Sequence, residues 1–352
     1  LVLRRAGKSE VMAAIALIVW PALLAPVLGP PLGGFISTYA SWRWNFFINI
    51  PVGLLGLWAV LRWIPRTPMP RPPAMDWRGS VLCASALVLL LLGLERGAQA
   101  GPRLAAWAIP LAISVAGLVI GLLALRHLRR TLHPIVSLAP LQVRSFSIAT
   151  AGGGTLFMTC MQAAPFLLPL MFQLAFGMGA VQAGLMTLAY FLGNLLMKSV
   201  TTPVLRRWGF RRVMTVGGTL AAATLLGCAA LQGDTPLFLS VGLLVGAGAM
   251  RSMQMTSLNT LAFADIEPAQ RGAASTLTSM FSQLAAAMGA AIGALVLALS
   301  QMAHGRRMLA SVDFRVAFTV MALLALVAVA GLRRLNPDDG AEVSGHLATQ
   351  KG

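Results

Sequence analysis

The residues that could do chemistry in this chain are few, and most are polar side chains set inside long apolar runs. Arg251 stands in one such run with no acidic residue in a neighbouring turn. A guanidinium at the centre of a bilayer costs about 2.5–3.5 kcal/mol on insertion scales. It therefore faces a cavity, holds helices together, or snorkels to the membrane surface. Gln254, Met255, Leu258 and Asn259 follow at helical spacing and share roughly one face with it. Tyr190, Asn194 and Lys198 recur at four-residue steps, a polar stripe on an otherwise apolar helix. A lysine in low dielectric has a lowered pKa and can exchange protons, whereas one near a helix end snorkels. Gln162, between Thr159 and Pro165, is placed either to line a cavity or to bond a neighbouring helix. Such groups suit recognition of a solute within lipid. They do not suit bond breaking: no Ser/His/Asp arrangement, phosphate loop or dinucleotide fingerprint occurs. The four histidines lack metal-ligand spacing, and Cys83, Cys160 and Cys228 read as inert small hydrophobes. The expectation is a non-enzyme with no catalytic residue, metal or cofactor.

A second feature is conformational. Residues 25–34 read Ala-Pro-Val-Leu-Gly-Pro-Pro-Leu-Gly-Gly. Gly29 and Gly33 lie one turn apart and would admit another backbone. Pro26, Pro30 and Pro31 delete helix hydrogen bonds and bend the segment. Lipid tolerates that only where a neighbour or a water cavity satisfies the freed carbonyls. Gly289 and Gly293 repeat the small-residue spacing in a helix that reads as close-packed structure.

The elements that position these residues follow from composition. Of 352 residues, 57% are hydrophobic and 11% charged, and mean hydropathy is +0.78. Soluble domains carry about 25% charged residues, so soluble globular and disordered classes are excluded. The apolar stretches run continuously for around 20 residues, without the alternation of an outer-membrane barrel. Ten spans are expected: 11–37, 45–64, 79–95, 104–125, 146–173, 180–204, 212–232, 236–261, 272–300 and 314–332. The protein is thus read as an all-α, polytopic membrane protein.

The net charge of +17 sets its orientation. With residues 1–10 in the cytoplasm, most of the 27 Lys and Arg fall on the cytoplasmic side. The exceptions are Arg43, Arg96, Arg103, Arg306, Arg307 and Arg315 outside, and Lys198 and Arg251 within spans. Both termini are then cytoplasmic. The charges are scattered over short loops, which excludes nucleic acid as a partner and leaves anionic lipid. The layout is two spans, two, then six. Residues 1–64 hold the first pair, 65–145 a cytoplasmic linker and a hairpin, 146–335 a six-helix bundle, and 336–352 a mobile polar tail.

The run Gly29-Pro30-Pro31-Leu32-Gly33-Gly34 resembles the antiporter motif in the fifth helix of drug:proton antiporters of the major facilitator superfamily. Trp42-Arg43-Trp44-Asn45-Phe46-Phe47-Ile48-Asn49-Ile50-Pro51-Val52-Gly53 resembles the hallmark that follows it in the 14-helix branch. Asp76-Trp77-Arg78-Gly79 looks like the start of that branch's seventh helix. Residues 251–261 resemble the twelfth helix of one multidrug-exporter subgroup. The resemblance spans about residues 8–335.

It implies a major facilitator fold of about ten transmembrane helices, lacking the first four. It also implies multi-pass residence in the cell inner membrane. The implied function is secondary active, proton-coupled efflux of hydrophobic or amphipathic drugs by alternating access. The partners would be the lipid bilayer, a small-molecule substrate, protons, and the missing helices one to four of the same protein. Gly29, Pro30, Gly33 and Gly34 would form the antiporter motif. Arg251, Gln254, Asn259, Asn194, Tyr190, Gln162 and Lys198 are candidate cavity residues. The family's second-bundle loop motif is degraded here, with Thr202 for its glycine and Arg206 for its aspartate, so 202–212 reads as a basic cytoplasmic loop. All ten acidic residues fall in loops, the tail or span ends, and the coupling carboxylate is expected in the missing helices. A specific metabolite exporter, and a truncated non-transporting fragment, are the alternatives.

Overall fold

The computed structural model describes residues 28–63, 75–100, 104–132, 134–306, 308–336 and 339–340. The start of span one with Pro26, the proline-rich stretch 64–74 and most of the expected tail lie outside the described residues. Helix α1 covers 28–39. A turn and the short α2 (Trp44–Phe47) lead into α3 (Asn49–Trp63). The hairpin is α4 (Trp77–Ala98) and α5 (Ala108–Arg130). Then follow α6 (Arg144–Ala149), α7 (Gly154–Leu170), α8 (Ala180–Ala230), α9 (Leu237–Ala264), α10 (Arg271–Ala303) and α11 (Ser311–Leu332).

Eight described helices are long and apolar enough to cross a membrane. One of them, α8, has 51 residues, about 75 Å at 1.5 Å per residue, more than twice a bilayer's apolar core of about 30 Å. Gly209 divides it: its φ of 69° and ψ of 165° are non-helical and suit only glycine. The two limbs are the expected spans six and seven. Residues 202–212, expected as a loop, are therefore helical on both sides of Gly209. The drop in hydropathy there does not end the helical hydrogen bonding.

Span five departs from expectation in the opposite way. It breaks between α6 and α7, where Gly153 takes φ 140°. A Cβ at Gly331 would sit 2.7 Å from the Gly152 carbonyl, so the break lets the end of α11 press in. Pro165 and Pro169 lie within α7, which ends in a π-turn over Met171–Ala175.

The core belongs to the last six spans. Phe146, Phe157, Phe172, Phe210, Phe314 and Phe318 are fully buried there. Helix α8 packs most extensively on α9 and α11, and α7 on α10. By contrast α3 has no buried residue. The hairpin is drawn tight by glycine: a Cβ at Gly117 would lie 2.7 Å from Leu90 N, and one at Gly93 would strike Ser114. The hairpin also docks on α10, where a Cβ at Gly97 would lie 3.3 Å from Leu295.

Asp76 clasps the base of this hairpin. Its carboxylate accepts from Gly79 N at 2.8 Å, from His127 Nε2 at 2.9 Å and from Ile135 N at 3.4 Å. A Cβ at Gly79 would collide with that carboxylate, so the aspartate and the glycine of Asp76-Trp77-Arg78-Gly79 work as one cap. The Gly79 amide and then the His127 ring hold the Asp76 pKa below the usual carboxylate value. A depressed carboxylate stabilises the fold above its unfolded pKa and ceases to do so as pH falls through the folded one. Amide exchange at 127–132, 135 and 136, corrected for intrinsic rate, is therefore expected to accelerate as pH falls below about 4. In Asp76→Ala it should be fast throughout; equal protection in the variant would refute the clasp.

Candidate functional site

Two glycine contacts bring the polar residues of the bundle together. A Cβ at Gly193 would run into the Val245 carbonyl, and one at Gly248 into the Tyr190 carbonyl, so α8 and α9 touch backbone to backbone. On the other side, a Cβ at Gly289 would lie 3.2 Å from the Gln162 carbonyl carbon, pressing α10 onto α7. Arg251 is one turn beyond Gly248. Its half-buried guanidinium donates to the Gln162 side-chain oxygen, 89 residues away in sequence. Its Nε is buried with no acceptor among the described residues. Tyr190, 1% exposed, lies within electrostatic reach of Arg251. Three helices, α7, α8 and α9, thus converge on one cation.

Of the remaining polar candidates, Gln254, Asn259 and Lys198 separate from this cluster, while the Asn194 backbone amide lies 3.0 Å from where a Cβ at Gly248 would stand. Gln254 is fully buried, and its Nε2 donates to the Val213 carbonyl at 3.0 Å. It holds α9 against the second limb of α8, whereas Arg251, one turn away, reaches to Gln162 of α7. Gly217 gives it room: a Cβ there would strike its amide. Asn259 is exposed, eight residues beyond Arg251, or about 12 Å along the axis. Lys198 is exposed and equally far from Tyr190, while Asn194 is half-buried between them.

The proline-glycine run makes the second part of the site. A Cβ at Gly34 would sit 2.6 Å from the Ala180 carbonyl, and one at Gly184 would sit 2.7 Å from the Pro30 carbonyl. Helix α1 therefore meets the first limb of α8 with backbones in contact. The close approach expected of Gly29 and Gly33 is made by Gly34 instead. Nothing described lies within 4 Å of a Cβ at Gly29, and Gly33 faces only the Asn45 side chain at 3.9 Å. Asn45 Nδ2 donates to Ser37 Oγ at 2.8 Å and ties shut the turn after α1. Asn49 Nδ2 donates to the carbonyls of Asn45 and Phe46. Beside this seam is a cavity of about 450 Å³, lined by Pro30, Gly33 and Ser37 of α1, Pro165 and Pro169 of α7, and Thr187 of α8.

Asp313 was missed by sequence reasoning, which placed it at a span end. It is fully buried in the first turn of α11. It accepts from Ser300 Oγ at 2.7 Å and from Ala310 N at 2.9 Å, with His304 at 3.8 Å and Arg306 at 3.9 Å. The crowding of Ser300, His304, Arg306 and Asp313 into one inter-helix turn was the available signal. The arrangement fastens α10 to α11. Among the described residues no cluster of His, Cys, Asp or Glu could hold a metal ion.

A family model described as Major Facilitator Superfamily matches residues 1–153 and 150–350. Among curated proteins, "Probable transport protein HsrA" of Haemophilus influenzae is 28% identical over 96% of this chain and 72% of its own length. "Putative multidrug resistance protein MdtD" of Escherichia coli O7:K1 is 32% identical over 86% of this chain and 63% of its own length. A protein of the same name from Pectobacterium carotovorum is 28% identical over 94% and 70% respectively. The chain thus spans between 63% and 72% of the length of these relatives.

Proposed function

The chain belongs to the Major Facilitator Superfamily, and on that premise we propose that it takes part in proton-coupled efflux of hydrophobic or amphipathic compounds. The observation that carries this reading is the backbone contact of α1 with α8 through Gly34 and Gly184. A seam without interlocking side chains closes tightly and parts without unthreading, which alternating access requires. The cavity beside it offers a solute apolar walls with polar groups at Ser37, Asn45, Gln173 and Thr187, and the half-buried Arg251–Gln162 pair supplies a cation deeper in the bundle. On this reading the membrane is the cell inner membrane, as the family resemblance implies, and the distribution of arginine supports cytoplasmic placement of both termini.

The test is made in a host stripped of its own efflux pumps. The complete reading frame containing this chain should lower steady-state accumulation of a lipophilic cationic dye several-fold, and a protonophore should abolish the difference. Unchanged accumulation and unchanged sensitivity to dyes and antiseptics would remove the drug role. One observation favours a second reading, export of a specific anionic metabolite: the buried Arg251 Nε has an unused donor that such a group would accept.

A further inference from the structure

At the arginine-rich end, where the second limb of α8 passes the end of α11, lies a groove of about 450 Å³. Arg211, Thr215 and Thr219 of α8 and Arg333 beyond α11 line it, with Val216 and Leu220 as its apolar wall. The two helices meet beside it at Gly218, where a Cβ would lie 2.6 Å from Val329 Cγ2. Val216 and Leu220 are about half exposed, and so are Leu323 and Val327 of α11. This surface is therefore an exposed apolar face of the kind that suits acyl chains. Arg211 and Arg333 are exposed, and neither has an ion-pair or hydrogen-bond partner for its guanidinium among the described residues. Thr215 and Thr219 donate their hydroxyl protons to the helix carbonyls of Arg211 and Thr215, each at 2.8 Å. Their hydroxyl oxygens remain as acceptors.

We propose that this groove binds one anionic glycerophospholipid, its phosphate between Arg211 and Arg333 and an acyl chain along Val216 and Leu220. Two unpaired cations above an exposed apolar wall match a molecule that carries its phosphate directly above its hydrocarbon. The free threonine acceptors suit a headgroup with hydroxyl donors, as in phosphatidylglycerol. A free phosphate would use the arginines but leave the apolar wall without a role. The occupant would join α8 to α11 on the side away from the proposed transport pathway.

The test is native mass spectrometry of the purified chain, exchanged in detergent against equimolar phosphatidylglycerol and phosphatidylcholine. One phosphatidylglycerol should be retained in preference. Each of Arg211→Gln and Arg333→Gln should cut retention about fivefold, and the pair about 25-fold, from about 1 kcal/mol per arginine. Arg271→Gln, a change at the same end outside the groove, should leave retention alone. Thermal unfolding of the unaltered chain is the second measurement, independent of whether the variants fold. Phosphatidylglycerol should raise the midpoint, whereas phosphatidylcholine and inorganic phosphate should not. Equal retention of the two lipids, undiminished retention in the double variant, or an equal rise with inorganic phosphate would each overturn the proposal.

Discussion

Gly184→Leu is expected to reach the membrane and transport almost nothing. The Cβ alone would lie 2.7 Å from the Pro30 carbonyl oxygen and 3.2 Å from Pro31 Cα. Both are backbone, so no rotamer change relieves the clash, and α1 must leave α8. The loss should be confined to that seam, because α8 is held independently by α9 and α11. A seam worth only about 1.4 kcal/mol to the transport cycle already changes the rate tenfold, and leucine should exceed that. Gly34→Ala should behave similarly, since its Cβ would lie 2.6 Å from the Ala180 carbonyl. Gly29→Ala is the control, with nothing among the described residues within 4 Å of its Cβ, and should transport normally. Dye efflux normalised to membrane abundance reads all three. Gly184→Leu transporting at the unaltered rate would sink the role given to the seam, as would a loss in Gly29→Ala as large as that in Gly184→Leu.

The second large effect is expected at Arg251, and a double-substitution cycle separates its two possible uses. A hydrogen bond to a charged group is worth about 1.5–3 kcal/mol, so Arg251→Met should lower transport roughly ten- to hundredfold. Gln162→Leu should mainly destabilise the protein, because it strips an acceptor from a guanidinium whose Nε already has none. In the double variant the orphaned charge is gone and thermal stability should recover. Transport should not recover with it. If transport returns together with stability, Arg251 is an inter-helix tie and nothing more.

Much of the architecture was legible because lipid imposes it. A span must be apolar over about 20 residues, and that rule located the helices to within a few positions. It could not say what happens between spans. Residues 202–212 are too basic for hydrocarbon, yet they continue the helix up to Gly209 and beyond it. Span five is apolar throughout, yet it breaks at Gly153, because the demand comes from α11 packing on it and not from its own sequence. The site divides in the same way. Arg251 and Gln162 were each conspicuous as polar residues in apolar surroundings, but their partnership joins helices 89 residues apart. Gln254 shares the neighbourhood of Arg251 in sequence and turns away to Val213 in space. The proline-glycine run was recognisable, but whether Gly33 or its neighbour Gly34 touches α8 depends on a rotation that spacing does not specify.

The docking of the α4–α5 hairpin on α10 has a mechanical corollary. A pair of helices strung between two rocking lobes would ordinarily be pictured as slack cable. Here it is a passenger. Gly97 seated against Leu295 packs the hairpin on α10 of the later bundle. A spin label on the hairpin would keep a fixed separation from α10 throughout the cycle, while its distance to α3 changes.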